Sequence, residues 1–340
     1  MLFEEFELKG MRMPNRICAA PVATKSCDID GTPTEKTLKA YENLASSAVS
    51  LINVEHHAVT KTGIIRNDQL RAYSDELAKK EADIASIIKK SGKIAVVQLS
   101  HGGAKIQNPE IFDVDGYRCV SPSGVKLGDA WKKINREPET LTISEIKELI
   151  EAFVAGAVRM VKIAGYDGVN IHCAHGYLLG EFLSPLTNLR TDAYGGTPYN
   201  RARLLYEITD AVRQTLPDTF MSVRIGAADF MPDEKPRGLT VEDTCVVARE
   251  LVSLGADLIC ISGNVCGYGI ERSGGAYFAP YSAAIREAIG AKVPVECTGG
   301  IRTAEEAEKM LADGSCDLIG LARPLMTDPL FVDKWRSGIK

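Results

Sequence analysis

The sequence predicts a single (β/α)8 barrel spanning 1–340, with long loops after its third and sixth strands. Three observations lead there. Eight short aliphatic runs are spread over the whole length, helical patterns fill the intervals, and a helix–glycine–strand unit recurs without any linker or low-complexity segment.

The predicted strands are Arg16–Ala20, Ser50–Glu55, Lys93–Leu99, Gly168–His172, Phe220–Ile225, Leu258–Ser262, Pro294–Thr298 and Leu318–Ala322. Most are continuously apolar rather than alternating, which fits parallel strands covered on both faces. Between them, Thr142 with Glu145, Thr240 with Asp243, and Thr303 with Glu306 read as capping-box starts. Gly165, Gly255 and Gly314 stop the corresponding helices, and Asp167, Asp257 and Asp317 introduce the strands that follow. In the first of these helices Ile146, Leu149, Ile150, Phe153, Ala157, Met160 and Val161 share one face. A doubly wound sheet is the competing architecture, but no G-x-G-x-x-G turn follows an early strand. The connections from Ser100 to Leu141 and from Gly263 to Pro280 are longer than usual. Both follow strand C-terminal ends and would overhang the mouth of a barrel as substrate loops.

A formal charge of -5 with interspersed signs gives no basic face, so nucleic acid is not an expected partner. The opening MLFEEFELKG lacks a basic segment followed by an apolar run, and no apolar stretch is long enough for a bilayer, so neither a signal peptide nor a membrane partner is expected. Nine cysteines occur without a Cys-x-x-Cys pair, several inside strand-like runs, which suits buried thiols in a reducing cytoplasm. Cys173 stands between His172 and His175, but strand alternation should point it away from them.

In a (β/α)8 barrel the chemistry is built at strand C-terminal ends. All five histidines fall there: His56 and His57 after the second strand, His101 after the third, His172 and His175 after the fourth. Tyr177 follows at once. Two imidazoles can hydrogen-bond a carbonyl oxygen and a phenol can protonate its neighbour, although satisfied strand-end residues or zinc ligands remain open from spacing alone. Gln98 and Arg224 lie on strands where aliphatic side chains are usual, so they need polar partners, and an internal salt bridge would serve Arg224 as well as a ligand. Gly299, Gly300 and Arg323, at the ends of strands seven and eight, suit a phosphate bound by backbone N–H groups and a guanidinium.

These residues resemble the Old Yellow Enzyme family of flavoprotein reductases, in the branch that includes the barrel domain of 2,4-dienoyl-CoA reductases. The likeness runs through NRICAAPVAT, VVQLSHGGA, IHCAHGYLLGEFLSPLTNLRTDAYGG with NRAR, SVRIG, TGGIRT and GLARPLMTDP, and so covers nearly the whole chain. It implies one FMN-binding barrel domain over 1–340, with Ala20, Pro21, Val22 and Ala23 along the isoalloxazine, Gln98 on its pyrimidine edge and Arg224 near N1. Gly299, Gly300, Ala322 and Arg323 would hold the phosphate. His172 and His175 match the pair that grips the substrate carbonyl, and Tyr177 matches the proton donor to the α-carbon. The implied activity is reduction of the C=C bond of a small α,β-unsaturated carbonyl compound at the expense of NAD(P)H.

Ala23 stands where the family often has Thr or Cys, with Thr24 next to it. Lys25 stands where one subgroup has a tyrosine, and His56 where a small residue is usual, so Lys25 and His56 are expected to meet substrate. No cysteine-rich iron–sulfur segment follows the barrel pattern, and direct reduction by a nicotinamide is therefore expected. A quinone or free-flavin reductase, an amine-oxidising relative, a zinc-dependent hydrolase or aldolase, and a non-catalytic flavin-binding protein are the alternatives. A homo-oligomer is left open.

Overall fold

The computed structural model describes residues 1–107, 109–113, 116–125, 137–230, 238–265 and 275–338. Its centre is a closed barrel of eight strands, all parallel to their neighbours and following one another in chain order. We label them β1 (Ile17–Ala19), β2 (Leu51–Ala58), β3 (Ile94–Ser100), β4 (Gly168–Cys173), β5 (Phe220–Gly226), β6 (Leu258–Ser262), β7 (Val295–Thr298) and β8 (Leu318–Leu321). Every residue of β2 to β8 is buried, as their continuous apolar runs require.

The largest difference from the sequence reading is in β2, which continues to Ala58 and takes in His56 and His57. Val54 pairs with Val97, but the next pair is His56 with Gln98, so Glu55 is the extra residue of a bulge. Side chains alternate along a strand, and the bulge shifts that alternation by one position. His56 thus faces the barrel mouth. His57 faces the helices, where its Nε2 meets Glu81 Oε1 at 2.9 Å.

The recurring helix stop works as a barrel clamp. Gly165, Gly255 and Gly314 all adopt positive φ, of 85°, 89° and 70°. The aspartate that follows each accepts a backbone N–H from the preceding strand: Asp167 from Ala95 at 2.9 Å, Asp257 from Met221 at 2.8 Å, Asp317 from Val295 at 3.0 Å. A cation from the helix layer closes each unit, Lys89 on Asp167, Arg213 on Asp257 and Arg286 on Asp317. Of the three predicted capping boxes, those at Thr142 and Thr303 are complete, whereas at Thr240 only the hydroxyl accepts.

An N-terminal hairpin of Phe6–Leu8 and Met11–Met13, absent from the sequence reading, turns through Lys9 and Gly10 with φ of 48° and 74°. Leu8 and Met13 join Cys18, Leu51, Val96, Phe220 and Leu258 in a buried cluster that shuts one end of the barrel. Ligand access is therefore left to the opposite, C-terminal end of the strands. The eight described cysteines are free. No helix among the described residues is long and apolar enough to cross a membrane. Parts of both long loops, after β3 and after β6, lie outside the described residues.

Candidate active site

At the C-terminal mouth lies a cavity of about 680 Å³, within the range of small-molecule sites. Pro21, Val22, Ala23 and Lys25 line it after β1, His56 on β2, Gln98 on β3, His172, His175 and Tyr177 at β4, and Arg224 on β5. Gly299, Gly300, Ala322 and Arg323 complete it after β7 and β8. Nearly all the site residues expected from the sequence thus meet in one place. Ala20 does not: its N–H is tied to Leu321 O at 2.8 Å, and it borders a separate cavity of about 110 Å³. His101 also lies apart from the mouth, with Nε2 on Thr62 Oγ1 at 3.1 Å and Nδ1 accepting from Gly103 N–H.

Three rings converge at the end of β4. The His172 ring lies 5.0 Å from that of His175 and 5.2 Å from that of Tyr177, both nearly edge-on. His175 is held in the left-handed region at φ 61°, a conformation unusual for a non-glycine residue and commonly retained for function. Its N–H donates to Gly263 O at 2.9 Å, and Lys105 Nζ donates to its carbonyl. The His175 Nε2 meets Ser262 Oγ at 2.7 Å, and Arg224 Nη2 donates to the same hydroxyl at 3.3 Å. Burial drives both imidazoles well below the ordinary histidine range, and Arg224 adds to the effect. Both are neutral at working pH and each offers one N–H.

Tyr177 Oη accepts from Gln107 Nε2 at 3.2 Å, while the Lys105 ammonium sits 5.2 Å from the ring centroid. Lys105 and Gln107 come from the loop after β3. That loop is fixed by Glu181 of the helix Leu178–Leu183, whose buried carboxylate accepts the Ala104 N–H at 3.0 Å. The sequence reading missed Lys105, Gln107, Ser262, Thr298 and the pair Tyr277 and Phe278, all of which line the cavity or touch residues that do. VVQLSHGGA marked the first two by proximity and TGGIRT begins with Thr298; Ser262, Tyr277 and Phe278 lack a distinctive local pattern. Cys173 points into the core, as strand alternation requires.

On the barrel floor Gln98 Nε2 donates to Asn170 Oδ1 at 2.7 Å, and Asn170 Nδ2 donates to Ser222 Oγ at 2.7 Å. This chain orients the Gln98 amide. Arg224 Nε and His172 Nδ1 are buried with no hydrogen-bond partner among the described residues. Gly299 and Gly300 have φ of 96° and 80°, and a Cβ on either would come within 2.7 Å or 2.6 Å of Tyr277 or Phe278 atoms. The turn therefore needs glycine to pass under these two rings, and its backbone lines the cavity beside Arg323.

A parallel barrel with buried neutral donors, a phenol and a glycine-and-arginine cradle at its C-terminal mouth defines an enzyme that holds a phosphate-bearing organic cofactor beside a small substrate. The comparisons give the family. The chain matches the NADH:flavin oxidoreductase / NADH oxidase family over residues 1–340. It is 37% identical over 330 residues to an NADPH dehydrogenase of Geobacillus sp. (strain WCH70), covering 97% of this chain and 92% of that protein. Among solved structures, the old yellow enzyme homologue from Zymomonas mobilis superposes with a TM-score of 0.83 at 25% identity, covering 100% of this chain and 93% of that one. A 2-naphthoyl-CoA reductase superposes with a TM-score of 0.89 at 22% identity, and there the chain spans 52% of the longer protein. The chain belongs to the NADH:flavin oxidoreductase family, that of Old Yellow Enzyme, and is an oxidoreductase of a family that works with FMN and NAD(P)H.

The residues present fit FMN. The orphaned Arg224 Nε and the oriented Gln98 amide face a cavity of sufficient size, and the backbone of Gly299 and Gly300 lines the same cavity beside Arg323.

Proposed function

We propose that this protein is an FMN-dependent, NAD(P)H-consuming reductase of the C=C bond of small α,β-unsaturated carbonyl compounds. The observation that carries the reading is the convergence of His172, His175 and Tyr177, with ring centroids 5.0 Å and 5.2 Å apart, on the cavity that Gln98, Arg224 and the Gly299–Gly300 turn also line.

In this reading Gly299, Gly300, Ala322 and Arg323 hold the phosphate, Pro21, Val22 and Ala23 border the ring system, and Gln98 with Arg224 binds its pyrimidine edge. When bound, FMN would supply the hydride chemistry that links NAD(P)H to the substrate β-carbon. His172 and His175 orient the substrate by its carbonyl oxygen and stabilise the negative charge that grows there as the β-carbon is reduced. Because both imidazoles are neutral, they act as hydrogen-bond donors and keep their protons. The Tyr177 hydroxyl, its oxygen accepting from Gln107, gives its proton to the α-carbon. Arg224 places a fixed positive charge on the same side of the mouth, and Lys25 stands exposed at the rim where substrate enters.

An anaerobic titration tests the reading: the flavin band should bleach with NADPH or NADH and return on addition of an enone such as 2-cyclohexenone. A protein that purifies without flavin and does not take up FMN, or whose reduced flavin is reoxidised by no activated alkene, would contradict it.

A further inference from the structure

His56 is a donor whose proton position the structure fixes. Gln69 Oε1 accepts the Ile65 N–H at 2.8 Å, so the amide nitrogen is the end that meets His56. That Nε2 lies 2.9 Å from His56 Nδ1 and 3.3 Å from His56 O, and an amide nitrogen only donates. Nδ1 is therefore an acceptor, a role that Ser100 Oγ at 3.3 Å also suits. Burial lowers the imidazole to about 3, so the ring is neutral and its single hydrogen is on Nε2. The ring is 9% exposed, lines the cavity, lies 5.5 Å from the Tyr177 ring at 32° and 6.5 Å from the His172 ring. His172 and His175, 5.0 Å apart, are close enough to share one oxygen. His56, beside the Tyr177 ring, stands farther along the cavity wall.

We propose that His56 is a substrate-binding, specificity-determining donor, and that the enzyme prefers alkenes carrying a second carbonyl-type oxygen, as in an ene-1,4-dione, with the first oxygen on His172 and His175 and the second on His56 Nε2–H. The proposal rests on the ene-reductase reading above. Nothing else is needed of the residue: it moves no proton, and it changes which molecules settle in register with the hydride. A donor buried opposite a substrate that lacks an acceptor stays unmet, which penalises mono-carbonyl substrates by the same interaction that favours two-oxygen ones.

The test compares His56→Phe, which keeps bulk and loses the donor, with His56→Gln, which keeps a donor. For each holoenzyme the kcat/KM ratio of cyclohex-2-ene-1,4-dione to 2-cyclohexenone is measured, so that the intrinsic reactivity of the two alkenes cancels between variants. His56→Phe should lower the ratio about tenfold or more, and His56→Gln should restore part of it. Calorimetric affinities for the saturated pair, cyclohexane-1,4-dione and cyclohexanone, should move in the same way and are independent of turnover. Equal ratios and equal affinities in wild type and His56→Phe would overturn the proposal, as would identical shifts in both variants, which would mark His56 as bulk alone. If no alkene is turned over yet the diketone affinity still depends on the donor, the ene-reductase reading fails and the binding role of His56 stands.

Discussion

At the scale of single residues, burial sets the chemistry of the mouth by keeping its imidazoles uncharged. His56 falls from an ordinary value of 6.5 to about 3, so between those pH values the unfolded chain takes up a proton there and the folded chain does not. The stability associated with His56 is therefore intact above 6.5 and is lost as pH falls through that window. Replacing it by Gln removes the penalty: on acidification from about pH 6 to about pH 4, urea unfolding should show the variant gaining on wild type by up to ~1.4 kcal/mol per pH unit. A pH-independent difference would contradict this. His172→Ala, removing one donor to the developing oxyanion, should lower kcat on an enone by ~10²–10³ in steady-state assays, with FMN content unchanged. His172, His175 and Tyr177 were legible because they crowd one strand end. That His56 meets the mouth was expected from the resemblance alone, since its inward aim depends on a bulge at Glu55 that leaves no mark in composition or periodicity.

At the scale of elements, two devices matter. The turn after β7 works only without side chains. Gly299→Val would set a branched Cβ against Phe278 and Tyr277 at a φ of 96°, and the purified protein should lose most of its FMN, read from the ratio of 450 nm to 280 nm absorbance. The helix–glycine–aspartate unit ties successive strands to each other. Asp257 alone serves the Met221 N–H, Arg213 and Lys9, so Asp257→Ala should cost roughly 1–3 kcal/mol of unfolding free energy in a denaturant melt while leaving the site residues untouched. The repeat was visible in the spacing of Gly165 with Asp167, Gly255 with Asp257 and Gly314 with Asp317. What spacing could not give was the partner of each aspartate, which comes from a strand or helix distant in sequence. The N-terminal hairpin escaped notice because its two short strands carry too few residues for a periodic signal.

At the scale of the whole molecule, closure of the barrel decides where chemistry can occur. The hairpin and its buried cluster seal one end, the eight strands deliver their last residues to the other, and residues as far apart in sequence as Val22 and Arg323 become neighbours across one cavity. The barrel was legible because parallel strands buried on both faces are written as aliphatic runs. The loops after β3 and β6 follow no such rule, and Lys105 and Gln107 were found only in three dimensions. The account depends on a phenol that gives its proton to the alkene and has no part in taking hydride from the nicotinamide. Stopped-flow absorbance of Tyr177→Phe tests this directly: bleaching of the flavin by NADPH should keep nearly its wild-type rate, while reoxidation by 2-cyclohexenone should be slowed by at least ~10²-fold. Equal slowing of both halves, or reoxidation at the wild-type rate, would contradict the assignment of Tyr177 as the proton donor.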